Sequence, residues 1–378
     1  MDNSLKKIIT DGLASLSNAF NSDKSKNDAL GIDIGSSSIK VVQLKKKGGK
    51  AVLETYGVIS LGPYAKTDVG TVTNLKPEDI SKALIDVMKE SNVTTKTAVI
   101  SIPSLSSLIF TIPLPNKVSE SDLPKIIPIE ARKYIPVPIS EVTLDWFVIP
   151  QEAESFEEGG SNENSARTQI EVLVVAIHNE TLAQYQEILK KTELKSESFE
   201  MEIFSNIRSS FNHEIAPIML IDFGASKTKV SIVESGIVRV FHVVNRGSQD
   251  ITRNISQSLS ITFDEAERLK RSVGLDATID PRVEKIVRLS VNYIFTDINS
   301  IVFAYEKKYN KNISRVFLAG GGSLLKGLLG AAKDNFKSEV VYSNPFSKTE
   351  APAFLEPVLE LSGPEFAVAV GLALRQLS

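Results

Sequence analysis

Two short segments of this chain carry the same acidic turn. GIDIGSSSIKVVQL starts at Gly31 and LIDFGASKTKVSIV starts at Leu220. In register they share Asp-x-Gly (Asp33/Gly35 and Asp222/Gly224), a serine (Ser37 and Ser226) and a Lys-Val pair (Lys40-Val41 and Lys229-Val230). A carboxylate closing an apolar run, followed by Gly and small hydroxyl residues, suits phosphate chemistry. Small residues let backbone N–H groups approach anionic oxygens, and paired carboxylates can hold a hydrated Mg²⁺ against them. A single D-x-G is an ordinary turn sequence. Two copies in matching surroundings predict two halves facing one nucleotide across a cleft. A third segment, Leu318-Ala319-Gly320-Gly321-Gly322-Ser323, has the strand–glycine turn–helix form that admits a base or phosphate to the backbone. No G-x-x-x-x-G-K-[ST] loop is present, and G-x-G-x-x-G fails because Leu325 stands at its last position.

Each acidic turn heads the same local plan. Ile39–Leu44 turns at Lys47-Gly48-Gly49 into Ala51–Ile59, and Thr228–Val233 turns at Glu234-Ser235-Gly236 into Ile237–Val244. Both predict β-hairpins. A helix is expected from Pro77, with Ile80, Leu84, Ile85 and Met88 on one face. Residues 97–175 break the alternation and are expected to form an inserted subdomain. It would hold strands at Ala98–Ile102, Leu108–Ile112, Val142–Ile149 and Ile170–Ile177, a helix from Ser119 to Tyr134 disturbed by Pro128, and a Glu/Ser/Gly/Asn-rich loop, Gln151–Thr168. Helices are expected at Asn179–Lys191, Glu200–Phe211, Phe263–Ser272, from Arg282 onward, at Leu324–Lys333 and at Pro364–Leu377, with a strand at Ile313–Leu318. In residues 1–29, Leu5, Ile8, Ile9, Leu13, Leu16 and Phe20 recur at helical spacing, which predicts a tail or an amphipathic helix packed on the body.

At 378 residues there is room for two domains, and 42% hydrophobic with 24% charged residues is ordinary globular composition. A net charge of −3 argues against a dominant nucleic-acid surface. The chain has no cysteine, which excludes thiol catalysis, disulfides and Cys-zinc sites and fits the cytosol. Lys6, Lys7 and Asp11 interrupt the first apolar positions, so no secretory signal is read. Thr97–Asn116 carries no formal charge, but Pro103, Pro113, Pro115 and four serines argue for strands rather than a membrane span. His178, His213 and His242 are scattered without metal-ligand spacing.

With these motifs the chain resembles the actin/Hsp70/sugar-kinase superfamily: a first phosphate turn, a second one, an adenosine turn and connecting helices. Asp33-x-Gly35 followed by Lys40 is similar to the actin-type first phosphate loop. Glu267-Arg268-Leu269-Lys270-Arg271 is similar to the E-x-x-K-R run by which Hsp70-like members hold adenosine. Within the superfamily, four segments resemble the PilM family of actin-like type IV pilus assembly proteins, relatives of FtsA. They are GIDIGSSSIKVVQL (31–44), IEARKYIPVP (129–138) with Glu141-Val142-x-Leu144-Asp145, AERLKR (266–271) and GPEFAVAVGLALR (363–375). They span nearly everything after residue 30, and the second and fourth are the specific ones, since generic kinases lack them.

The resemblance implies an α/β, actin-like (ribonuclease H-like, duplicated) two-domain ATPase fold with a PilM/FtsA-type 1C subdomain instead of 1B. Residues 30–96 and 176–216 would be subdomain 1A, 97–175 subdomain 1C, 217–247 and 313–350 subdomain 2A, and 248–312 subdomain 2B. Residues 351–378 would return a helix to 1A. It implies ATP with Mg²⁺ held by Asp33 and Asp222. Gly35, Ser36, Ser37, Ser38 and Lys40, with Gly224, Ala225, Ser226, Lys227 and Thr228, would meet the phosphates. Glu267, Lys270 and Arg271 would hold ribose or base, and Gly320, Gly321, Gly322 and Ser323 would border the adenosine. Glu200 would stand where PilM-like chains often carry a catalytic Asp, with Glu202 two residues on. The longer side chain predicts slow hydrolysis at most.

The implied partner is the short N-terminal cytoplasmic tail of a PilN-like membrane protein, in a groove involving 1A and 1C, with other platform proteins of the pilus. That places the chain in the cytoplasm, peripheral at the inner face of the cytoplasmic membrane through its partners, with self-association left open. Two other functions compete. A small-molecule kinase of the superfamily would need a sugar-binding signature beside a phosphate turn, and none is recognised. An FtsA/MreB-like filament is the other, and FtsA's C-terminal amphipathic anchor is not seen after Leu377-Ser378.

Overall fold

Both hairpins form, and each opens a sheet of the same plan. The computed structural model describes residues 27–119, 121–149, 169–212 and 214–377. The helix expected within 1–29 and the loop expected at Gln151–Thr168 lie outside the described residues. In the first half, β1 (Asp28–Ile34), β2 (Ser38–Lys47), β3 (Lys50–Ser60) and β4 (Thr97–Ile102) precede the three strands of the insert, β5 (Ser107–Pro115), β6 (Val142–Ile149) and β7 (Gln169–His178). β8 (Lys195–Met201) then completes a sheet of order β3-β2-β1-β4-β8. The second half repeats it with β9 (Ile218–Phe223), β10 (Thr228–Glu234), β11 (Ile237–Val244), β12 (Arg315–Ala319) and β13 (Glu339–Tyr342), in the order β11-β10-β9-β12-β13. In each sheet three antiparallel strands come first and two parallel strands follow. The hairpin turns match as well. Gly48 and Gly49 have φ of 58° and 81°, Ser235 and Gly236 have 50° and 79°, and left-handed backbone at both central positions is the turn whose twist suits paired strands.

Helices fill in behind these sheets: α1 (Pro77–Glu90), α2 (Leu123–Ala131), α3 (Asn179–Thr192), α4 (Glu202–Ser210), α5 (Ser248–Leu259), α6 (Phe263–Val273), α7 (Pro281–Tyr309), α8 (Leu328–Asn335) and α9 (Glu356–Leu377). Local chemistry sets their ends. Asp280 caps α7 by accepting from the Arg282 and Val283 N–H groups at 2.9 and 3.4 Å, Pro281 starts it, and Asn310 in left-handed conformation stops it.

α9 is long and apolar enough to cross a membrane, yet 61% of its apolar window is buried within the fold. It packs on β1, β2, β4 and α4. Two glycines make this approach close. A Cβ on Gly31 would lie 2.0 Å from the Ala369 carbonyl oxygen, and one on Gly371 would lie 1.9 Å from the Ser205 carbonyl oxygen. Phe366, Val370 and Leu377 of α9 thereby join Ala29, Val42 and Leu44 in one core, each large side chain worth about 1.5–3 kcal/mol when fully buried. The second half has its own core, with Ile221, Val230, Ile255, Val287 and Phe295 among its members.

The insert, Pro103–Glu187, is a compact unit of its own. Its three-stranded antiparallel sheet has the order β5-β7-β6, and α2 buries Leu123 and Ile127 against Ile112, Val172 and Val174. Several bounds differ from the sequence expectation. Thr97–Ile102, expected at the start of the insert, pairs with β1 and β8 in the larger unit. The helix expected over Ser119–Tyr134 is only α2, Leu123–Ala131, which carries Pro128 inside it. The helix expected from Glu200 starts at Glu202, because Lys195–Met201 pairs as an edge strand along β4. The last helix begins at Glu356 rather than Pro364.

Candidate functional site

Each acidic turn lies at the end of the central strand of its sheet, and the two are built alike. Asp33 stands opposite Lys40 across the first hairpin, and Asp222 stands opposite Lys229 across the second. The Gly35 N–H donates to the Ser38 carbonyl at 3.0 Å, and the Gly224 N–H donates to the Lys227 carbonyl at 3.1 Å. The glycine segment meets the second turn. Gly320 has φ of 82°, and a Cβ there would lie 2.4 Å from Asp222 Oδ1. Its N–H donates to the Pro364 carbonyl at 2.7 Å. The Ser323 hydroxyl donates back to the Gly320 carbonyl at 2.6 Å and so closes the turn itself.

Between the two turns lies a cluster of charge. Asp33 is only 8% exposed. Its Oδ1 accepts from Ser101 Oγ at 2.9 Å, and that hydroxyl oxygen accepts from the Ile34 N–H at 3.2 Å. Burial pushes the Asp33 carboxyl above its ordinary range, and the negative charge of Glu202 adds to this, against the pull of Lys40 and Lys229. Lys229 Nζ stands 2.6 Å from Glu202 Oε2 and 3.2 Å from Asp222 Oδ2. Burial works against its charge, but Asp222, Glu202 and Asp33 together hold the ammonium above the usual lysine range. Lys40 Nζ donates to Ser38 Oγ at 2.9 Å and lies 4.0 Å from Glu365 Oε1 of α9. Carboxylate oxygens and ammonium groups set beside two tight backbone turns can bind an anion together with its metal counter-ion.

Glu267 and Lys270 of α6 form a second cluster. Lys270 Nζ is 2.6 Å from Glu267 Oε2, the Thr252 hydroxyl donates to the same oxygen at 2.6 Å, and Arg271 Nε is 2.8 Å from Oε1. Lys270 also donates to Thr252 Oγ1 at 2.9 Å and to the Ser248 carbonyl at 3.3 Å. Burial pushes Glu267 up, but Lys270, Thr252 and Arg271 hold it below the usual range; burial pushes Lys270 down. This is a buried network, not a solvated helix pair. The loop after β3 reaches it from the first half: a Cβ on Gly70 would lie 3.0 Å from Glu267 Cδ, and the Val72 N–H donates to Gln249 Oε1 at 3.3 Å.

Two expected phosphate contacts are engaged elsewhere. Lys227 Nζ donates to Asn245 Oδ1 at 2.8 Å, and the Thr228 hydroxyl donates to the Arg246 carbonyl at 2.9 Å. Ser36, Ser37, Ala225 and Ser226 are partly buried within the turns. Gly321 and Gly322 lie in the short 3₁₀ turn that follows Gly320.

Glu200 is not brought to this cluster. It lies in β8, is 1% exposed, and takes two bonds from Arg208, at 2.6 and 2.7 Å. Ser205 Oγ donates to it at 2.5 Å, and Arg375 Nη1 is 3.1 Å away. Burial opposes its charge, but the two guanidinium groups and the hydroxyl keep the carboxyl below its usual range. Glu200 thus clamps α9 to β8 and α4. The carboxylate brought to the cluster is Glu202, at the first position of α4, which pairs with Lys229.

Comparison with known proteins agrees with this architecture. A family model described as type IV pilus assembly protein PilM matches residues 31–377. The chain belongs to the PilM family. Cell division protein FtsA of Neisseria meningitidis is 22% identical over 379 residues, covering 90% of this chain and 88% of that protein. Among solved structures, a PilM-PilN type IV pilus biogenesis complex superposes with a TM-score of 0.77 at 24% identity, covering 93% of this chain and 98% of that one. The ethanolamine utilization protein EutJ from Carboxydothermus hydrogenoformans gives 0.54 at 13% identity over 99% of both chains. The fold of this PilM-family chain is therefore actin-like.

Several residues of these clusters escaped the sequence reading of this PilM-family chain. Lys229 repeats Lys40 in the second copy, and that signal was available. Glu365 lies within the GPEFAVAVGLALR segment. Ser101 and Thr252 had none, since a lone hydroxyl becomes a carboxylate's partner only through the fold.

Proposed function

We propose that this PilM-family chain is an ATP-binding adaptor of the pilus inner-membrane platform that holds the cytoplasmic tail of a PilN-like protein. The observation that carries the reading is the cluster of Asp33, Asp222 and Glu202 around Lys229, between two turns closed by the same backbone bond. Its donor set fits a nucleotide with Mg²⁺. Oxygen ligands suit that ion, and it commonly keeps several waters while bound through one or two carboxylates and phosphates. Among the described residues no three His, Cys, Asp or Glu side chains form a cage for a metal by themselves. Asp33 and Asp222 would hold Mg²⁺ through its waters, and the ion would neutralise phosphate charge. Lys40 and the turn amides would meet phosphate oxygens, while Glu267, Lys270 and the Gly320–Gly322 backbone would border the nucleoside.

The subdomain scheme belongs to the same proposal, with the insert as 1C. The insert's sheet leaves β5 and β6 as edges, and exposed Leu105 and Ile129 lie in the same unit. An extended tail can add to such an edge. The similar PilM-PilN complex supports a PilN-like occupant. Anchored in this way, the chain sits at the inner face of the cytoplasmic membrane without crossing it. Nucleotide acts by favouring the form that binds the tail better.

The test is calorimetry with a synthetic N-terminal tail of the PilN homologue, with and without Mg-ATP, followed by hydrogen exchange. Tail binding that protects amides within 103–187 supports the reading. Protection confined to residues beyond 217 overturns the tail assignment. Unchanged Mg-ATP affinity in both Asp33→Ala and Asp222→Ala overturns the nucleotide site.

A further inference from the structure

β11 is the outermost strand of the second sheet, and among the described residues no other strand pairs with its outer edge. It runs for eight residues, Ile237–Val244, without Pro or Gly, and Val240, Phe241 and Val243 are only partly buried. An open edge of that length offers a row of unused backbone donors and acceptors, which proteins ordinarily cover or blunt. Here it is bordered by a groove. A hollow of about 790 Å³ separates β11 from α7, and a second of about 460 Å³ continues along α7 past Leu289 and Tyr293, the two meeting at Arg246.

The groove's charge is opposite to that of the chain. Arg239, Arg246 and Lys308 line the larger hollow against a single carboxylate, Asp297, although the chain as a whole carries −3. Glu234 already engages Arg239 at 3.3 Å. Arg246 and Lys308 are exposed and stand over aromatic faces, 5.0 Å from the Tyr293 ring centre and 4.9 Å from that of Tyr309. Leu289 is 57% exposed and Tyr293 51%, so apolar shelves accompany the cations.

We propose that this groove binds an extended acidic segment of a partner protein, which adds as a strand to β11. Its backbone pairs with the open edge, its apolar side chains settle on α7 beside Leu289 and Tyr293, and its carboxylates meet Arg246 and Lys308. One end of the groove abuts the second acidic turn, where the Arg246 carbonyl accepts from Thr228, but the proposal depends on neither the nucleotide nor the insert assignment.

A displayed library of random ten-residue peptides, selected on the full chain, is the probe. The expected winners alternate Asp or Glu with apolar residues, and they protect amides of 237–244 from hydrogen exchange. N-methylation of every second peptide residue abolishes binding in one frame and spares it in the other, the signature of strand addition. Arg246→Glu with Lys308→Glu weakens binding at least tenfold, while circular dichroism and melting stay unchanged. Neutral or basic winners, protection elsewhere, or affinity indifferent to the double variant would overturn the proposal. So would a self-associated chain whose β11 amides are already protected, since a second copy would then own the edge.

Discussion

Lys229 Nζ, on the second half, stands 2.6 Å from Glu202 Oε2, on the first. One ammonium therefore ties the two halves together between the acidic turns while also touching Asp222 at 3.2 Å. Lys229→Met leaves Asp33, Glu202 and Asp222 facing one another without it. The expected outcome is a loss of roughly 3 kcal/mol in urea unfolding, the scale for breaking a mostly buried pair. A loss below about 0.5 kcal/mol, ordinary for a surface substitution, would show that the tie holds nothing.

Asp33 predicts the opposite sign. Its folded-state pKa lies above the ordinary 3.8, so the native protein binds this proton more tightly than the unfolded chain does. The native state then loses stability as pH rises from about 3.8 through the raised value. Asp33→Asn keeps an acceptor for Ser101 and removes the buried charge. It is expected to melt higher than the parent at pH 7, with the gain fading as pH falls toward 4, and to bind Mg-ATP at least tenfold more weakly, about 1.4 kcal/mol. Parallel melts at pH 4 and 7 check the first part. A lower melting point at pH 7 would refute it.

Glu200 serves the fold. Glu200→Gln leaves Arg208 and Arg375 buried without their carboxylate, and the expected loss is about 3–5 kcal/mol. Because its folded pKa is lowered from 4.5, its contribution is complete above that value and disappears as pH falls through the lowered one. Mg-ATP affinity per folded molecule should stay within twofold of the parent. An intact fold with abolished turnover would instead restore a catalytic role.

ATP should be bound far more readily than it is hydrolysed. Glu202 is tied to Lys229 and is poorly placed to draw a proton from water. Steady-state phosphate release near the enzyme median of roughly 10 per second would sink this expectation.

How far the sequence carried can be read from neighbouring residues. The hairpins were legible because Gly48-Gly49 and Ser235-Gly236 suit a turn whose twist matches paired strands. Glu200 was misplaced because KSESFEM, an edge strand, carries little apolar alternation, and only pairing with β4 makes it extend. Two residues of shift exchanged a carboxylate paired with Arg208 and Arg375 for one paired with Lys229. Lys229 was legible as a repeat, but its ion pair with Glu202 joins two halves that no local pattern relates.

α9 lies on β1, with the Gly31 backbone against Ala369. The core of the first sheet is thus filled by residues 356–377, which are synthesised after the whole of the second half. As the chain leaves the ribosome, the second sheet can close over its own core while the first waits with Val42 and Leu44 uncovered. Contacts of such long sequence separation form late, and the exposed intermediate is prone to aggregate. Chains released before residue 356 should therefore be substrates for chaperones and proteases, however well their second half has folded.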